Sequence, residues 1–277
     1  MWKLTKVAAV AAALAAAVAA HAGEVEVLHY WTSGGEAKSA AELKKMMQAK
    51  GHTWRDFAVA GGGGDSAMTV LKSRVISGNP PSAAQVKGPA IQEWASEGVL
   101  GNMDALAKSE KWDEALPKVV ADVMKYKGNY VAAPVNVHRV NWIWASSDAL
   151  KKAGVAAMPK TWDEFFALCD QVQAEGIPPM TFQGRYLSYA QPFIDAAYYH
   201  LAGPERYWQQ KEHLAEGSFD NPEMVESLEI ALRCKRYFQK GAMGMTHTES
   251  QREFFLGHAA MIPCGTWLKS EMIGKIP

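Results

Sequence analysis

The amino-acid sequence predicts an α/β fold with a parallel sheet, and three observations lead to this prediction. The composition, 277 residues with 48% apolar and 21% charged content, is that of a globular protein. Strand-like and helix-like segments alternate over residues 23–133. From about residue 139 the strand-like segments become fewer. We therefore expect an N-terminal α/β lobe over residues 23–133 and a helix-rich, partial C-terminal lobe over residues 134–277.

Residues 1–22 have the three parts of a secretory signal peptide. Lys3 and Lys6 give a positive start, residues 7–20 form an apolar run, and Ala-His-Ala at 20–22 has the spacing of a cleavage site. The alternative is a membrane anchor, but the run is shorter than the roughly 20 residues that a bilayer span needs. We expect residues 1–22 to be removed and the mature protein to be exported.

The charge balance and the cysteines argue against several classes of protein. Lys plus Arg (29) equals Asp plus Glu (29), so the chain has no overall positive field for nucleic acid or anionic lipid. Cys169, Cys234 and Cys264 lie in apolar contexts without Cys-x-x-Cys spacing, which favours buried thiols over zinc or redox chemistry. We expect no cofactor, no metal and no nucleic-acid partner.

The predicted N-terminal lobe begins with strand–turn–helix units. Its strands are expected at residues 24–31, 53–60 and 83–86. Its helices are expected at 36–50, with Leu43, Met46 and Met47 on one face, from the N-cap Asp65 to the stop at 79–81, and at 89–96. Ligands of such sheets bind beyond the carboxyl ends of the strands. The loops at 31–36, 61–65 and 85–88 should therefore meet at one edge.

The second lobe is predicted to contain one long strand-like segment and several helices. The strand-like segment is at 138–146, and the helices are expected at 148–152, 162–175, 190–202, 222–240 and 248–257. Thr161 and Glu164 have the spacing of a capping box at the start of the second of these helices. The segment 247–249 contains a histidine and an acid but lacks a third ligand at metal spacing, so a loop is predicted there.

Seven short segments resemble a known family in sequence and in order. They are residues 30–36, the glycine turn 61–64, Gly-Asn-Pro-Pro at 78–81, Gln-Val-Lys-Gly at 85–88, and the segments 134–139, 159–165 and 254–261. In these segments the chain resembles the solute-binding proteins of bacterial ABC sugar importers, most of all the periplasmic glucose-binding proteins. Two departures are that Tyr30 replaces a tryptophan of the family pattern and that Thr266 stands where an Asp is common.

The resemblance implies a two-lobe fold of the periplasmic-binding-protein type (type II). It also implies a periplasmic protein of a Gram-negative bacterium that binds a monosaccharide, glucose first, between its lobes and delivers it to membrane permease subunits. A monomer is expected. Family members are longer, so the resemblance further implies a fold that is incomplete at the C-terminus, with marginal stability and weak binding.

Eight side chains are candidates for sugar binding. They are Tyr30, Trp31, Glu36, Gln85, Lys87, Asn136, His138 and Trp267. Binding a pyranose takes flat aromatic rings for its apolar face and planar amides, carboxylates or cations for its hydroxyl rim. Alternatives stay open, because Trp31 and Tyr30 can be core residues, Glu36 a helix cap, Gln85 and Lys87 a solvated strand edge, and His138 a structural histidine.

The sequence shows no catalytic machinery, so a binding protein rather than an enzyme is predicted. The glycine turn at 61–64 lacks the Gly-Lys-Ser/Thr ending of a phosphate-binding loop, and no Gly-x-Ser-x-Gly elbow occurs. A glycosidase needs two facing carboxylates, and only Glu36 is placed in the predicted cleft. The alternatives are a secreted carbohydrate-active hydrolase and a protein that presents its ligand to a chemoreceptor.

Overall fold

The protein is described by a computed structural model over residues 23–32, 34–60, 64–185, 190–213 and 216–273. The predicted signal peptide at 1–22 and most of the predicted glycine turn at 61–64 lie outside these residues. The chain divides into two compact units between Val137 and His138, which we call unit 1 and unit 2. The boundary predicted from the sequence lies a few residues earlier.

A three-stranded parallel sheet forms the centre of unit 1. Its strands are β1 (Glu24–His29), β2 (Thr53–Ala58) and β3 (Ala83–Ala84), in the order β2-β1-β3. β1 pairs with β2 along its whole length and with β3 at Val27 and Leu28. Leu28 is fully buried and packs against Leu71. The predicted parallel sheet is therefore confirmed.

The helices of unit 1 follow the predicted order. They are α1 (Gly34–Ala49), α2 (Asp65–Ile76), α3 (Ala90–Ser96), α4 (Asp104–Ser109), α5 (Trp112–Ala115) and α6 (Lys118–Val123). A short hairpin of β4 (Lys125–Tyr126) and β5 (Asn129–Tyr130) follows them. One local prediction is wrong, because Gly64 rather than Asp65 is the N-cap of α2. The helix that carries Met46 is present as predicted, but it buries only Ala40, and Met46 is 60% exposed.

Unit 2 is rich in helices. Its elements are β6 (Ile143–Ala145), α7 (Ser147–Lys152), α8 (Trp162–Ala174), α9 (Gln191–His213), α10 (Pro222–Lys235), a 3-10 turn (Ala242–Gly244), α11 (His247–Phe255), β7 (Met261–Pro263) and α12 (Leu268–Met272). β6 and β7 pair antiparallel. The main core brings Phe166, Cys169 and Val172 of α8 against Met180 and Met261.

Three predictions for unit 2 need correction. The Thr161 hydroxyl caps α8, but the Glu164 carboxylate accepts from the backbone N–H of Lys160 instead of completing a capping box. α9 runs past residue 202, with a break at Gly203, and α10 ends at Lys235. None of the helices in the described part of the chain reaches the length and apolarity of a membrane span.

The segment 247–249 is also helical, so the loop predicted there is wrong, and the helix predicted at 248–257 runs over His247–Phe255. Thr246 is the N-cap of α11 and its hydroxyl accepts from the backbone N–H of Glu249, while the Glu249 carboxylate accepts from the backbone N–H of Thr246. This reciprocal pair is a capping box, and it satisfies two backbone donors at the start of the helix.

Candidate functional site

The loops after the three strands of unit 1 meet at the Tyr30 side chain, which confirms the prediction for this edge of the sheet. The backbone N–H of Tyr30 donates to Oε1 of Gln85 at 3.1 Å. Nζ of Lys87 lies 5.9 Å from the centre of the Tyr30 ring, within the range of a cation–π contact. The ring also lies against the backbone of Gly64, since a Cβ atom there would be 2.9 Å from Cε1 of Tyr30.

The environment of Tyr30 keeps its phenol protonated. Burial, together with the negative charges of Glu36 and Asp65, raises the pKa of Tyr30 to about 12. Glu36 lies in the first turn of α1 and Asp65 in the first turn of α2. A neutral phenol can both donate and accept a hydrogen bond, as a sugar hydroxyl requires. We call Tyr30, Glu36, Asp65, Gln85 and Lys87 the Tyr30 cluster.

The other two candidates from unit 1 differ sharply in exposure. The Trp31 side chain is 7% exposed, which favours the core interpretation that the sequence left open. Asn136 is exposed and lies at the end of unit 1, in a segment without regular secondary structure. A sugar-binding role for either residue stays a prediction.

In unit 2, two predicted residues that are far apart in the sequence lie side by side. The rings of His138 and Trp267 meet edge to face, with centres 5.5 Å apart and planes at 85°. Nδ1 of His138 lies 3.4 Å from the hydroxyl of Thr266, which also accepts from the backbone N–H of Arg139 at 3.2 Å. Thr266 therefore has a polar role although it departs from the family pattern.

A partly buried histidine that is not among the eight predicted residues lies beside Trp267. The ring centre of His247 is 6.4 Å from that of Trp267. Nδ1 of His247 lies 2.5 Å from Oε1 of Gln183, and its Nε2 lies 2.5 Å from Nε2 of Gln251. An amide nitrogen only donates and an amide oxygen only accepts, so we assign the neutral tautomer with the proton on Nδ1.

Burial lowers the pKa of His247 to about 4 and also lowers the pKa of His138. Both rings are therefore neutral at pH 7. The sequence signal that would have found His247 is the Thr-x-x-Glu box at 246–249, because a helix starting there brings residues 247 and 251 onto one face. We call His138, Gln183, His247, Gln251, Thr266 and Trp267 the Trp267 cluster.

The indole of Trp267 lies on the backbone of Gly265. A Cβ atom on Gly265 would lie only 2.0 Å from Cζ3 of Trp267. The carbonyl oxygen of Gly265 accepts from Nε1 of Trp144 at 3.3 Å, which holds this stretch of backbone in place. The Trp267 ring is partly buried and packs against the core formed by Phe254 and Leu268 with their neighbours.

We also searched the described residues for metal sites and cavities outside the two aromatic clusters. No group of three or more His, Cys, Asp or Glu side chains that could hold a metal ion occurs in the described ranges. Cavities of about 500 Å³ and 360 Å³ lie in unit 2, and both include Thr161, Trp162 and His200. Neither contains any of the eight predicted residues, so the candidate site is defined by side-chain geometry and not by cavity size.

Comparison with known proteins gives a consistent result. The sequence pattern of the family described as bacterial extracellular solute-binding protein matches residues 33–276. The chain is 40% identical to a probable sugar-binding periplasmic protein of Rhizobium meliloti (strain 1021), over 100% of this chain and 67% of that protein. It is 38% identical to a protein of the same description in Brucella suis biovar 1 (strain 1330), over 100% of this chain and 68% of the relative.

A solved structure of a chitin oligosaccharide binding protein is similar in fold. Its TM-score is 0.76 at 21% identity, over 92% of this chain and 64% of that one. This likeness shows the fold, and the predicted α/β, two-lobe fold of periplasmic binding proteins is confirmed. The chain spans about two thirds of the length of these relatives.

Proposed function

The chain belongs to the family of bacterial extracellular solute-binding proteins, and on this premise we propose that it is the periplasmic sugar-binding component of an ABC importer. The family consists of binding proteins and not of enzymes, which agrees with the sequence prediction and removes the hydrolase alternative. The relatives named as sugar-binding periplasmic proteins support the sugar as the class of ligand.

The observation that carries this proposal is the pairing of a flat ring with hydrogen-bonding side chains in each unit. Tyr30 lies beside an amide and an ammonium group, and Trp267 lies beside a hydroxyl and two neutral imidazoles. A ring face suits the C–H face of a pyranose, and the amide, hydroxyl and imidazole groups suit hydroxyls, which both donate and accept. Both clusters contribute to sugar binding in this proposal.

The charges of the two clusters favour an uncharged sugar. The Tyr30 cluster contains two carboxylates and one ammonium group, and the described side chains of the Trp267 cluster are neutral at pH 7. A uronic acid would add a negative charge near an existing excess of negative charge, which costs binding free energy. We propose a neutral monosaccharide, with glucose as the first ligand to test.

Permease subunits of the membrane are the proposed partners, because the importer must take up the sugar from its binding protein. A chemoreceptor that recognises the loaded protein and a monomeric state stay predictions from the sequence. Both follow from the resemblance to the importer family.

A thermal-shift screen with calorimetry tests the proposal. The full chain is screened against glucose, other neutral monosaccharides, a uronic acid and a disaccharide. A ligand that binds only the folded protein stabilises it by about 2.7 kcal/mol at one hundred times its Kd. We expect glucose or another neutral monosaccharide to raise the melting temperature. Failure of every sugar to do so would contradict the proposed function.

Variants show whether the clusters carry the binding. Tyr30→Ala and Trp267→Ala should each lower sugar affinity by about tenfold or more, since a stacked ring contributes on the order of 1–3 kcal/mol in comparable sites. Trp208→Ala is the control, because Trp208 is 48% exposed and lies outside both clusters. Equal affinity of all three variants would contradict the assignment of the rings.

A further inference from the structure

We propose that Gly265 and Gly64 are positioning residues that set the planes of the two sugar-binding rings. Gly265 provides the flat backbone patch under Trp267, and Gly64 provides the corresponding patch against Tyr30. The inference rests on the proposed function for its link to sugar binding. Its geometric part concerns this chain alone and can be tested without a sugar.

At Gly265 the requirement is one of space. A Cβ atom would lie 2.0, 2.3 and 2.5 Å from Cζ3, Cη2 and Cε3 of Trp267, all within the six-membered part of the indole. Cβ atoms of real proteins essentially never approach other heavy atoms below 3.0 Å. Gly265 is not among the glycines with a positive φ, and the three heavy atoms nearest to its Cβ position all belong to the Trp267 ring.

The Trp267 ring has little freedom to move away from such a side chain. The centre of the His138 ring lies 5.5 Å from that of Trp267, and Leu268 and Phe254 belong to the core cluster against which Trp267 packs. Core packing is dense, so a displaced indole must enter occupied space or rotate outward into another rotamer. In either case the ring loses the plane that it holds in the native structure.

At Gly64 the requirement has two parts. Its φ of +112° lies in the region that only glycine adopts without strain, and a Cβ atom would lie 2.9 to 3.2 Å from three ring atoms of Tyr30. Gly78, in the same unit, has φ of +73° and no heavy atom within 4 Å of its Cβ position. Both glycines therefore have a positive φ, but only Gly64 lies against an aromatic ring.

A ring fixed on a backbone patch binds with a smaller entropic cost. Ordering a side chain on binding costs conformational entropy, and this cost is avoided when the ring already lies in its binding orientation. Substitution of either glycine should therefore weaken sugar binding through its ring, without removing any group that would itself touch the sugar.

The main experiment compares Gly265→Ala with Gly244→Ala, whose Cβ position has no heavy atom within 4 Å. The first readout is the indole N–H signal of Trp267 in a ¹H–¹⁵N spectrum, assigned by its loss in Trp267→Phe. The second is sugar affinity by calorimetry, measured also in the Trp267→Ala background. We expect Gly265→Ala to shift the indole signal and to lower affinity about tenfold or more, and Gly244→Ala to change neither.

The double variant distinguishes positioning from a general structural effect. If Gly265 acts through the ring, Gly265→Ala should lower affinity by less than twofold when Trp267 is already alanine. An unchanged indole signal in Gly265→Ala, or an equal loss of affinity in both backgrounds, would overturn the inference. If the wild-type chain binds no sugar, the proposed function fails, and the indole signal alone decides the geometric part.

Gly64→Ala provides a second test should Gly265→Ala fail to fold. Its control is Gly78→Ala, at a glycine that also has a positive φ, of +73°, but has no heavy atom within 4 Å of its Cβ position. We expect the sugar affinity of Gly64→Ala to fall about tenfold and that of Gly78→Ala to stay within twofold of the wild type. Equal losses in the two variants would show that backbone strain explains the effect and would overturn the assignment of Gly64.

Discussion

The Tyr30 cluster of unit 1 is charged, whereas the Trp267 cluster of unit 2 is neutral at pH 7. Tyr30 lies in the field of two carboxylates and beside one ammonium group. Trp267 lies beside two imidazoles whose pKa values burial holds below their usual range. An aromatic ring is therefore set in a charged environment in unit 1 and in an uncharged one in unit 2.

The largest expected effect tests whether Tyr30 rather than Trp31 is the sugar-stacking ring of unit 1. Trp31→Ala should lower the free energy of unfolding by about 3–5 kcal/mol, because a buried tryptophan leaves a large cavity when truncated. Urea denaturation measures the change, with Trp208→Ala as the control. An unchanged urea midpoint together with lost sugar affinity would identify Trp31, and not Tyr30, as the stacking ring of unit 1.

The neutral character of the Trp267 cluster predicts a pH-dependent stability. The pKa of His247 is about 4 in the folded protein and about 6.5 in an unfolded chain, so the unfolded state binds more protons between these values. Its contribution is complete above pH 6.5 and decreases as the pH falls towards 4. The loss over this window is on the order of 2–3 kcal/mol.

Urea midpoints at pH 7.5, 5.5 and 4.0 measure this dependence. His247→Gln should show a flatter pH profile than the wild type, because it removes the titrating ring and keeps a polar side chain. His200→Gln, at an exposed position in the same unit, should follow the wild-type profile. A wild-type slope that persists in His247→Gln would assign the titration to another group.

The smallest effect concerns the charged cluster. Lys87→Met should lower sugar affinity by about tenfold, since a hydrogen bond to a charged donor contributes roughly 1.5–3 kcal/mol and solvent offsets part of it. Lys87 is exposed, so the urea midpoint should stay unchanged. Lys72→Met, at an exposed position of α2 outside the cluster, is the matched control. Equal affinities of the two variants would remove Lys87 from the site.

The sequence predicts the Tyr30 cluster well because its members follow the strands of one parallel sheet. The carboxyl ends of such strands meet at one edge, so Gln85 and Lys87 can be placed near Tyr30 from the order of the elements alone. Helical periodicity identifies the apolar face of α1 that carries Met46, but it does not show whether anything covers that face, and Met46 is 60% exposed.

Most contacts within the Trp267 cluster could not be predicted from the sequence. Gln183 and His247 are 64 residues apart and come from a loop and a helix start, which no strand order brings together. The resemblance proposes His138 and Trp267 as site residues, yet their contact depends on the turn at Gly265 and on the pairing of β6 with β7. Tertiary packing, and not local pattern, creates this cluster.

The buried cysteines make the protein suitable for site-specific labelling. The three thiols of the chain are at most 3% exposed, and burial raises the pKa values of Cys169 and Cys234 to about 12. Maleimide dyes react with accessible thiolates, so these positions should stay unmodified in the folded state. A single new cysteine at an exposed position outside both clusters, such as Lys72, would then carry the dye alone.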